Sequence, residues 1–254
     1  MLPIENYQTY TAGMEKSMED KMFWFDQIPK EEYSTVIDYG CADGTFLKRV
    51  REHNPECFIC GIDIDDWMLQ EAQKKFDSNS LFINEAFLSK PTHLCGEVLN
   101  LSSVIHEVYS YKTPIEVKHF WGYVKGHKYV CIRDMCYDSA ALEAIDIPVL
   151  PYKDESEQKR RKEFESIWGS IDIPINFIHY MLKYRYVENW RREVRENYLP
   201  INHYMLSSYA EFLGYKIIFD EQYTLPFVKQ KVKEDWNYEL NVPTHVKMIW
   251  KRKE

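Results

Sequence analysis

Between residues 35 and 135 the chain alternates short apolar runs with longer amphipathic segments. Five runs have the length and composition of buried strands: STVIDYG, CFICGIDID, LFINEAF, EVLNLSS and KYVCIRDM. The segments between them, such as TFLKRVREH, space their apolar residues as one face of a helix does. Strands that alternate with helices in this way predict an α/β fold, in which a mostly parallel sheet carries helices on both faces.

The alternation stops after Met135 and resumes near residue 201. The stretch between is charged and aromatic, and Val187, Trp190 and Val194 recur in it at helical spacing. We therefore predict a helical insertion after the fifth strand. Two more strand runs, YKIIFDEQY and THVKMIWK, follow it. Because no helix is recognised between these two runs, they predict an antiparallel hairpin at the edge of the sheet.

This pattern divides the chain into three parts. Residues 1–30 are expected to form an N-terminal helical segment, with a helix over residues 14–27. Residues 31–137 and 201–254 are expected to form the sheet and its helices. Residues 138–200 are the insertion, which follows a strand end, the place where ligands bind in open α/β sheets. The insertion is therefore expected to help to bind the substrate.

Charge and hydropathy narrow the class of partner. The net charge is −8, and an acidic chain gains no long-range attraction to a polyanion, so a small-molecule partner is favoured over a nucleic acid. No stretch approaches 18 consecutive apolar residues, and the N-terminus lacks the basic start and apolar run of a signal peptide. The six cysteines lie mostly in apolar runs. We therefore expect a cytoplasmic protein with reduced thiols and no membrane partner.

The first strand ends in the turn DYGCADG, residues 38–44, which leads into a helix. Glycine here lets a ligand approach the backbone closely, and the start of the helix offers free N–H groups. Asp38 narrows the choice of ligand. A carboxylate at the strand end would repel a pyrophosphate, whereas it suits a ligand that carries an ammonium and a sulfonium group.

The second strand ends at Asp63, about 20 residues after the glycine turn, where an acid can accept hydrogen bonds from both hydroxyls of a ribose. Ile64 follows it, and Met68 has a spacing suited to covering an adenine ring. A nicotinamide dinucleotide would use the same acid. Asp63 alone is therefore also compatible with a nicotinamide-dependent oxidoreductase. Asp38 argues against that alternative, because its carboxylate would repel the pyrophosphate of the dinucleotide.

The third and fourth strand ends carry further polar groups. Glu85 follows the third strand and can bond an adenine amine, with Ala86 or Phe87 against the ring. The fourth strand ends at Ser102, and His106 follows it. A small hydroxyl and an imidazole are thus expected beside the reactive end of the ligand.

Together, four segments resemble the motifs of class I S-adenosylmethionine-dependent methyltransferases. VIDYGCADGTF looks like the first motif of that family, GIDIDDWML like the second, INEAF like the third and LNLSSVIHEV like the fourth. Each lies on the expected strand end, and their order is that of the family. Two positions depart from the usual pattern, because Glu85 replaces an aspartate and Ala42 replaces the middle glycine of the commonest turn.

The resemblance implies a Rossmann-like sheet of seven strands, mostly parallel, whose last strand is antiparallel. It also implies S-adenosylmethionine as the cofactor and in-line transfer of its methyl group to an oxygen or nitrogen nucleophile of an unidentified acceptor. The residues expected to bind the cofactor are Asp38, Gly40, Cys41, Ala42, Gly44, Asp63, Ile64, Met68, Glu85, Ala86 and Ser102.

An oxygen acceptor usually needs a general base, and His106 is the leading candidate because its ordinary pKa lies near neutral pH. The alternative is a histidine that only packs at the start of a helix. The residues expected to bind the acceptor are Tyr109, Tyr184, Tyr186 and Arg191. In the N-terminal segment, Lys21, or Tyr7 and Tyr10, are candidates to reach the cofactor.

Other kinds of function and site have weaker support. The basic run at residues 159–162 keeps an RNA or DNA methyltransferase open, although the acids around it favour a solvated helix. A non-catalytic subunit that binds S-adenosylmethionine is a further alternative. No metal site is predicted, because Cys57 and Cys60 lack a second pair of ligands and no pair of acids indicates one.

Overall fold

Seven strands form one sheet. They are β1 (Thr35–Tyr39), β2 (Phe58–Asp63), β3 (Ser80–Asn84), β4 (Val98–Ser102), β5 (Tyr129–Met135), β6 (Tyr215–Tyr223) and β7 (His245–Arg252), in the order β3-β2-β1-β4-β5-β7-β6. β1 to β5 are parallel, and β7 is antiparallel to both β5 and β6. The computed structural model describes residues 13, 15, 17–76, 79–88 and 96–254. The predicted Rossmann-like sheet is confirmed.

Helices connect these strands and fill the region after β5. In the described part of the chain the α-helices are Met18–Lys21, Thr45–His53, Asp66–Gln73, Ile105–Tyr111, Pro114–Val124, Ser139–Glu143, Glu155–Trp168, Pro174–Lys183, Trp190–Glu193, His203–Phe212 and Pro226–Trp236. Short 3₁₀ helices cover Lys30–Glu32 and Glu85–Leu88. None of the described helices is both long and apolar enough to span a membrane.

The expected antiparallel pairing of β6 with β7 at the edge of the sheet is confirmed. The expected direct connection is wrong, because the helix Pro226–Trp236 joins the two strands. Proline at its first helical position suits the fixed backbone angle that a helix start needs. Val228 and Val232, one turn apart, are its buried side chains. The rest of the helix is largely charged, so its apolar face is too narrow to stand out in the sequence.

The N-terminal segment is less helical than predicted. Its described α-helix covers Met18–Lys21, and the chain continues in turns to residue 27, whereas Met14 lies outside the described residues. Trp24 is fully buried, and its Nε1 donates a hydrogen bond of 3.2 Å to Oδ1 of Asn100 on β4. The segment is therefore anchored to the sheet by a buried indole rather than by one continuous helical face.

A separate apolar core lies outside the sheet. Phe164 and Phe177 of the 138–200 region are fully buried in it. Val228 and Val232 of the helix before β7 belong to the same core. This core therefore combines two stretches that are far apart in the chain and packs them beside the carboxyl ends of the strands.

Candidate active site

A cavity of about 1370 Å³ opens at the carboxyl ends of β1, β2, β4 and β5. On the sheet side its lining includes Gly40, Ala42, Asp63, Met68, Ser102 and His106. On the side of the 138–200 region its lining includes Leu182, Arg185, Tyr186, Asn189, Arg192 and Tyr198. Pockets for a single drug-sized ligand span roughly 300–1,000 Å³. The cavity therefore has room for two ligands side by side.

The glycine turn after β1 brings its backbone to the cavity through left-handed residues. Gly40 has φ +80°, and a Cβ there would lie 2.8 Å from Cγ2 of Val104. Gly44 has φ +73°, and a Cβ there would lie 3.1 Å from Cβ of Ala72. Ala42 is also left-handed, with φ 44°, at a cost of roughly 1–2 kcal/mol for a residue with a Cβ. Gly40 and Ala42 line the cavity, whereas Gly44 allows the turn to pack against the helix Asp66–Gln73.

Asp38 is buried beneath this turn. Its Oδ1 accepts a hydrogen bond of 2.8 Å from Nδ2 of Asn100. Burial raises the pKa of Asp38 to about 6, although the bond from Asn100 and the charge of Lys21 oppose the rise. A small cavity that adjoins the main one is lined by Asp38, Cys41 and Lys21, among others. A cationic group placed there would lower this pKa and favour the ionised carboxylate.

Asp63 links the first two strand ends. Its Oδ2 accepts a bond of 2.7 Å from the N–H of Ala42, and its Oδ1 accepts one of 2.9 Å from the N–H of Asp65. Burial raises the pKa of Asp63 in spite of these donors. Ile64 and Met68 line the cavity next to it, and Met68 is buried. Asp63, Ile64 and Met68, three of the residues predicted to bind the ribose and adenine, thus lie together.

Glu85 and Ala86 do not line the cavity. Glu85 accepts hydrogen bonds from the hydroxyl of Tyr39 and, at 2.6 Å, from Nζ of Lys112. Both of its oxygens are engaged by these side chains, so Glu85 connects β1 to the helix that begins at Ile105 instead of facing the cavity. The side chain of Phe87 lies outside the described residues.

His106 lies buried at the start of the helix Ile105–Tyr111 and lines the cavity. Its Nδ1 is 2.8 Å from Oδ1 of Asp134, the last residue but one of β5. Asp134 also accepts bonds from the N–H groups of Val104, Ile105 and Met135. Burial opposes ionisation of Asp134, but His106 and these donors hold its pKa below the ordinary value. An ionised Asp134 can only accept, so Nδ1 of His106 must carry the proton.

The other ring nitrogen of His106 faces the acceptor side. Nε2 lies 3.9 Å from Oε2 of Glu196. Burial alone would lower the pKa of His106, but Asp134, Glu107 and Glu196 outweigh it and raise that pKa above its ordinary value. With Nδ1 protonated, neutral His106 presents a basic nitrogen to the cavity.

Charged side chains of arginine and glutamate surround Nε2 of His106. Arg192 donates to Glu107 over 2.5 Å and to Glu196 over 2.8 Å. Burial raises the pKa of both Glu107 and Glu193. The charge of Glu196 adds to the rise, and the charge of Arg192 opposes it. The acceptor side of the cavity is therefore rich in carboxylates, two of which Arg192 pairs with.

One cluster was not expected, because the sequence shows no pair of acids that indicates a metal site. His106, Glu107 and Glu196 each offer one ligand atom, and these atoms lie within 4.8 Å of one another. Glu107 lies in the helix Ile105–Tyr111, and Glu196 follows the helix Trp190–Glu193 about 90 residues later, so sequence spacing gives no sign of the cluster. Arg192 already supplies a cation to both carboxylates. The geometry would permit a metal ion, but the arginine fills the same electrostatic role.

Of the four residues expected to bind the acceptor, Tyr186 lines the cavity. Tyr184 is buried beside Trp236 and donates to Asp235 over 2.8 Å. Arg191 is exposed, and Tyr109 donates to the hydroxyl of Tyr209. The expectation for these three is corrected, because none of them lines the cavity. Tyr7 and Tyr10 lie outside the described residues, whereas Lys21 does line the cavity.

Several residues in or beside the cavity were missed by sequence reasoning. Arg133 lines the cavity and Asp134 contacts His106, and both lie in the run IRDM at the end of β5. Glu193 and Glu196 also line the cavity, and they lie in the segment RREVREN. The rule that ligands bind at strand ends points to the first pair. The second pair had no such signal, because only the fold places that segment against the helix Ile105–Tyr111.

The donor set at the strand ends fits the predicted cofactor. A buried carboxylate at Asp38 suits a cation, and a second carboxylate at Asp63 suits a pair of hydroxyls. The turn between them, with left-handed residues at 40 and 42, leaves bare backbone along the cavity wall. A pyrophosphate would meet two carboxylates here, so the charges disfavour a dinucleotide.

Comparison with known proteins agrees with this geometry. The family model of the methyltransferase domain matches residues 30–107, which carry β1 to β4. The methyltransferase domain of bacterial CtHen1-C has a TM-score of 0.52 and 10% identity, over 94% of this chain and 99% of that one. The plantazolicin methyltransferase BpumL, solved with S-adenosylhomocysteine and a substrate analogue, has a TM-score of 0.52 and 11% identity, over 98% and 88%.

An O-methyltransferase family protein from Burkholderia thailandensis has a TM-score of 0.55 and 12% identity, over 97% of this chain and 59% of that one. The chain therefore spans little more than half of that protein. At such low sequence identities, the likeness to these solved structures shows only that the folds are similar. No curated protein sequence matches the chain.

Proposed function

We propose that this chain is a class I S-adenosylmethionine-dependent methyltransferase that methylates a hydroxyl oxygen of a small molecule, with His106 as the general base. The observation that carries the proposal is the 2.8 Å contact between Nδ1 of His106 and Asp134, because His106 lines the cavity at the carboxyl ends of the strands and this contact orients its ring. A neutral nitrogen acceptor needs no base in the transfer step, so a preorganised base favours oxygen.

S-adenosylmethionine, when bound, supplies an electrophilic methyl group on a positively charged sulfur. Nε2 of His106 accepts the proton of the acceptor hydroxyl while the oxygen forms its new bond to the methyl carbon. The cofactor would supply this carbon, and its sulfur would keep the electron pair of the broken bond. Asp134 and Glu196 stabilise the imidazolium that forms, since one bonds Nδ1 and the other lies 3.9 Å from Nε2.

The shape of the acceptor side supports a small, flat molecule. The guanidinium of Arg185 lies 4.5 Å from the ring centre of Tyr186 and 5.4 Å from that of Phe227. These three side chains line one wall of the cavity. Planar groups of this kind stack on planar ligands. We propose that the 138–200 region, with Phe227, forms the acceptor half of the site.

The position of the basic run at residues 159–162 supports a small-molecule acceptor rather than a nucleic acid. Arg161 is buried and pairs with Glu157 at 2.8 Å, which leaves it unable to contact a phosphate. None of the residues 159–162 lines the cavity. A strong preference for RNA or DNA over small hydroxylated compounds in a methyl-transfer assay would replace the small-molecule proposal with the nucleic-acid alternative.

The pH dependence of the rate tests the role of His106. The base must be neutral, and its pKa lies above the ordinary value because Asp134, Glu107 and Glu196 outweigh its burial. With a hydroxyl acceptor we expect log kcat/KM to rise with pH at unit slope and to level off above the ordinary histidine pKa of about 6.5. The measurement must be made where the chemical step limits the rate. If log kcat/KM then does not rise with pH in this way, the assignment of His106 is contradicted.

A further inference from the structure

Glu193 is a buried carboxylate in the cavity that the proposed base chemistry does not use. It is 6% exposed and lines the main cavity. Its Oε2 accepts a hydrogen bond from the hydroxyl of Tyr198. Its Oε1 accepts no hydrogen bond within the described part of the chain, and this oxygen is not sealed from solvent. One oxygen of a buried carboxylate is therefore available to a ligand in the cavity.

The cations around Glu193 are directed to other groups. Arg192 pairs with Glu107 at 2.5 Å and with Glu196 at 2.8 Å, whereas Glu193 makes no ion pair with any described residue. The buried ammonium of Lys183 donates to the backbone carbonyl of Glu196 and not to a carboxylate. Burial lowers the pKa of Lys183 to about 7, although Glu196 and Glu193 oppose this, so its charge is only partly present at neutral pH. Of the three carboxylates, Glu193 thus has no cation of its own.

The charge that Glu193 lacks can come from a ligand. Burial and the charge of Glu196 raise the pKa of Glu193 to about 8, although Arg192 opposes the rise. An ammonium would supply a positive charge and a hydrogen bond to Oε1 at once. A carboxylate or phosphate on the ligand would instead be repelled by Glu107 and Glu196. The ligand group that suits this part of the cavity is therefore cationic.

Tyr198 connects Glu193 to the proposed general base. The ring centre of Tyr198 lies 5.2 Å from that of His106, and the hydroxyl of the same ring bonds Glu193. The span from His106 to Glu193 is therefore about that of one aromatic ring and its hydroxyl. A ligand that carries a hydroxyl and an ammonium at opposite ends of one ring can thus reach both residues within the same cavity.

We propose that the acceptor carries an ammonium group besides the hydroxyl that is methylated, and that Glu193 binds this ammonium. Glu193 then determines specificity, because it selects hydroxylated amines over neutral and anionic compounds of the same shape. The inference rests on the proposed function for the hydroxyl, but the binding of the amine does not require turnover. Its failure would leave methyl transfer by His106 untouched, and failure of the base assignment would leave the amine site untouched.

The test measures the binding of two matched pairs of ligands. Tyramine and 4-propylphenol have the same shape, with an ammonium in one and a methyl group in the other. The pair of 4-hydroxybenzylamine and 4-ethylphenol has a shorter side chain. Each compound is titrated calorimetrically into the full chain, which is saturated with S-adenosylhomocysteine and kept in EDTA so that no metal ion occupies the carboxylates. In at least one pair we expect the amine to bind at least tenfold more tightly, because charge-assisted hydrogen bonds contribute this much.

Glu193→Gln tests whether this side chain is responsible. Glutamine keeps an oxygen for the hydroxyl of Tyr198 but loses the charge. We expect the affinity for the amine to fall at least fivefold, with the affinity for its neutral partner unchanged. Glu143→Gln is the matched control, since Glu143 lies in the same 138–200 region but is exposed and does not line the cavity. It should change neither affinity.

Should Glu193→Gln fail to fold, proton release from the parent chain serves instead. At pH 7, in two buffers of different ionisation enthalpy, binding of the amine should release up to one proton, because an ammonium lowers the pKa of Glu193 from about 8. The neutral partner should release none, and equal release by both would overturn the inference. Equal affinities within both pairs, or no binding by either amine, would also overturn it, as would a folded Glu193→Gln that keeps the preference for the amine.

Discussion

The variant His106→Asn is expected to transfer methyl groups at least a hundredfold more slowly than the parent chain to a hydroxyl acceptor, with its affinity for S-adenosylhomocysteine unchanged. A positioned general base contributes about 10²–10⁴-fold. Asparagine keeps a polar group beside Asp134 but cannot accept a proton in the neutral pH range. We therefore expect kcat to fall and, in the same variant, the rise of log kcat/KM with pH to disappear.

The matched control for this variant is His119→Asn, since His119 is exposed on the helix Pro114–Val124. It should leave kcat and the pH profile unchanged. Because His106 is buried, thermal unfolding and titration with S-adenosylhomocysteine must show first that His106→Asn is folded. A folded variant that retains more than about a tenth of the parent rate would rule out general-base catalysis by His106.

The variant Asp63→Ala is expected to bind S-adenosylhomocysteine at least tenfold more weakly, a loss of about 1.4 kcal/mol. Asp63 is expected to accept hydrogen bonds from the ribose, and it also fixes the turn by accepting the N–H of Ala42. Alanine removes both contributions. Isothermal titration calorimetry measures the change directly and needs no acceptor.

Asp63→Asn separates the two contributions of this side chain. It keeps one carbonyl oxygen for a backbone N–H but loses the charge, so its affinity should lie between those of the parent chain and Asp63→Ala. Asp172→Ala, at an exposed position, should have no effect. Parent-like affinity in folded Asp63→Ala would remove Asp63 from the cofactor site.

The sheet was predictable because its strands are short and almost continuously apolar. Each of the first five runs became one strand, and the residue that ends each run lies at the same edge of the sheet. Asp38, Asp63 and His106 were found in this way, because a parallel topology brings sequence-distant strand ends together. The same rule applied to β5 would have pointed to Arg133 and Asp134.

The residues that line the acceptor side of the cavity were harder to predict from the sequence than the strand ends. Tyr184 and Tyr186 are two residues apart, but Tyr184 is buried beside Trp236 whereas Tyr186 reaches the cavity. They follow the end of the helix Pro174–Lys183, where helical periodicity no longer fixes the direction of a side chain. The contact of Arg192 with Glu107 joins residues 85 apart, and only tertiary packing determines it.

The most direct test of the cofactor site is a calorimetric titration of the purified chain with S-adenosylmethionine, with S-adenosylhomocysteine and with a nicotinamide dinucleotide. Buried carboxylates at two strand ends favour a cationic sulfur compound over a pyrophosphate. We expect saturable heat from the two sulfur compounds and none from the dinucleotide. Heat from the dinucleotide alone, or none from either sulfur compound, would contradict the assignment of this site.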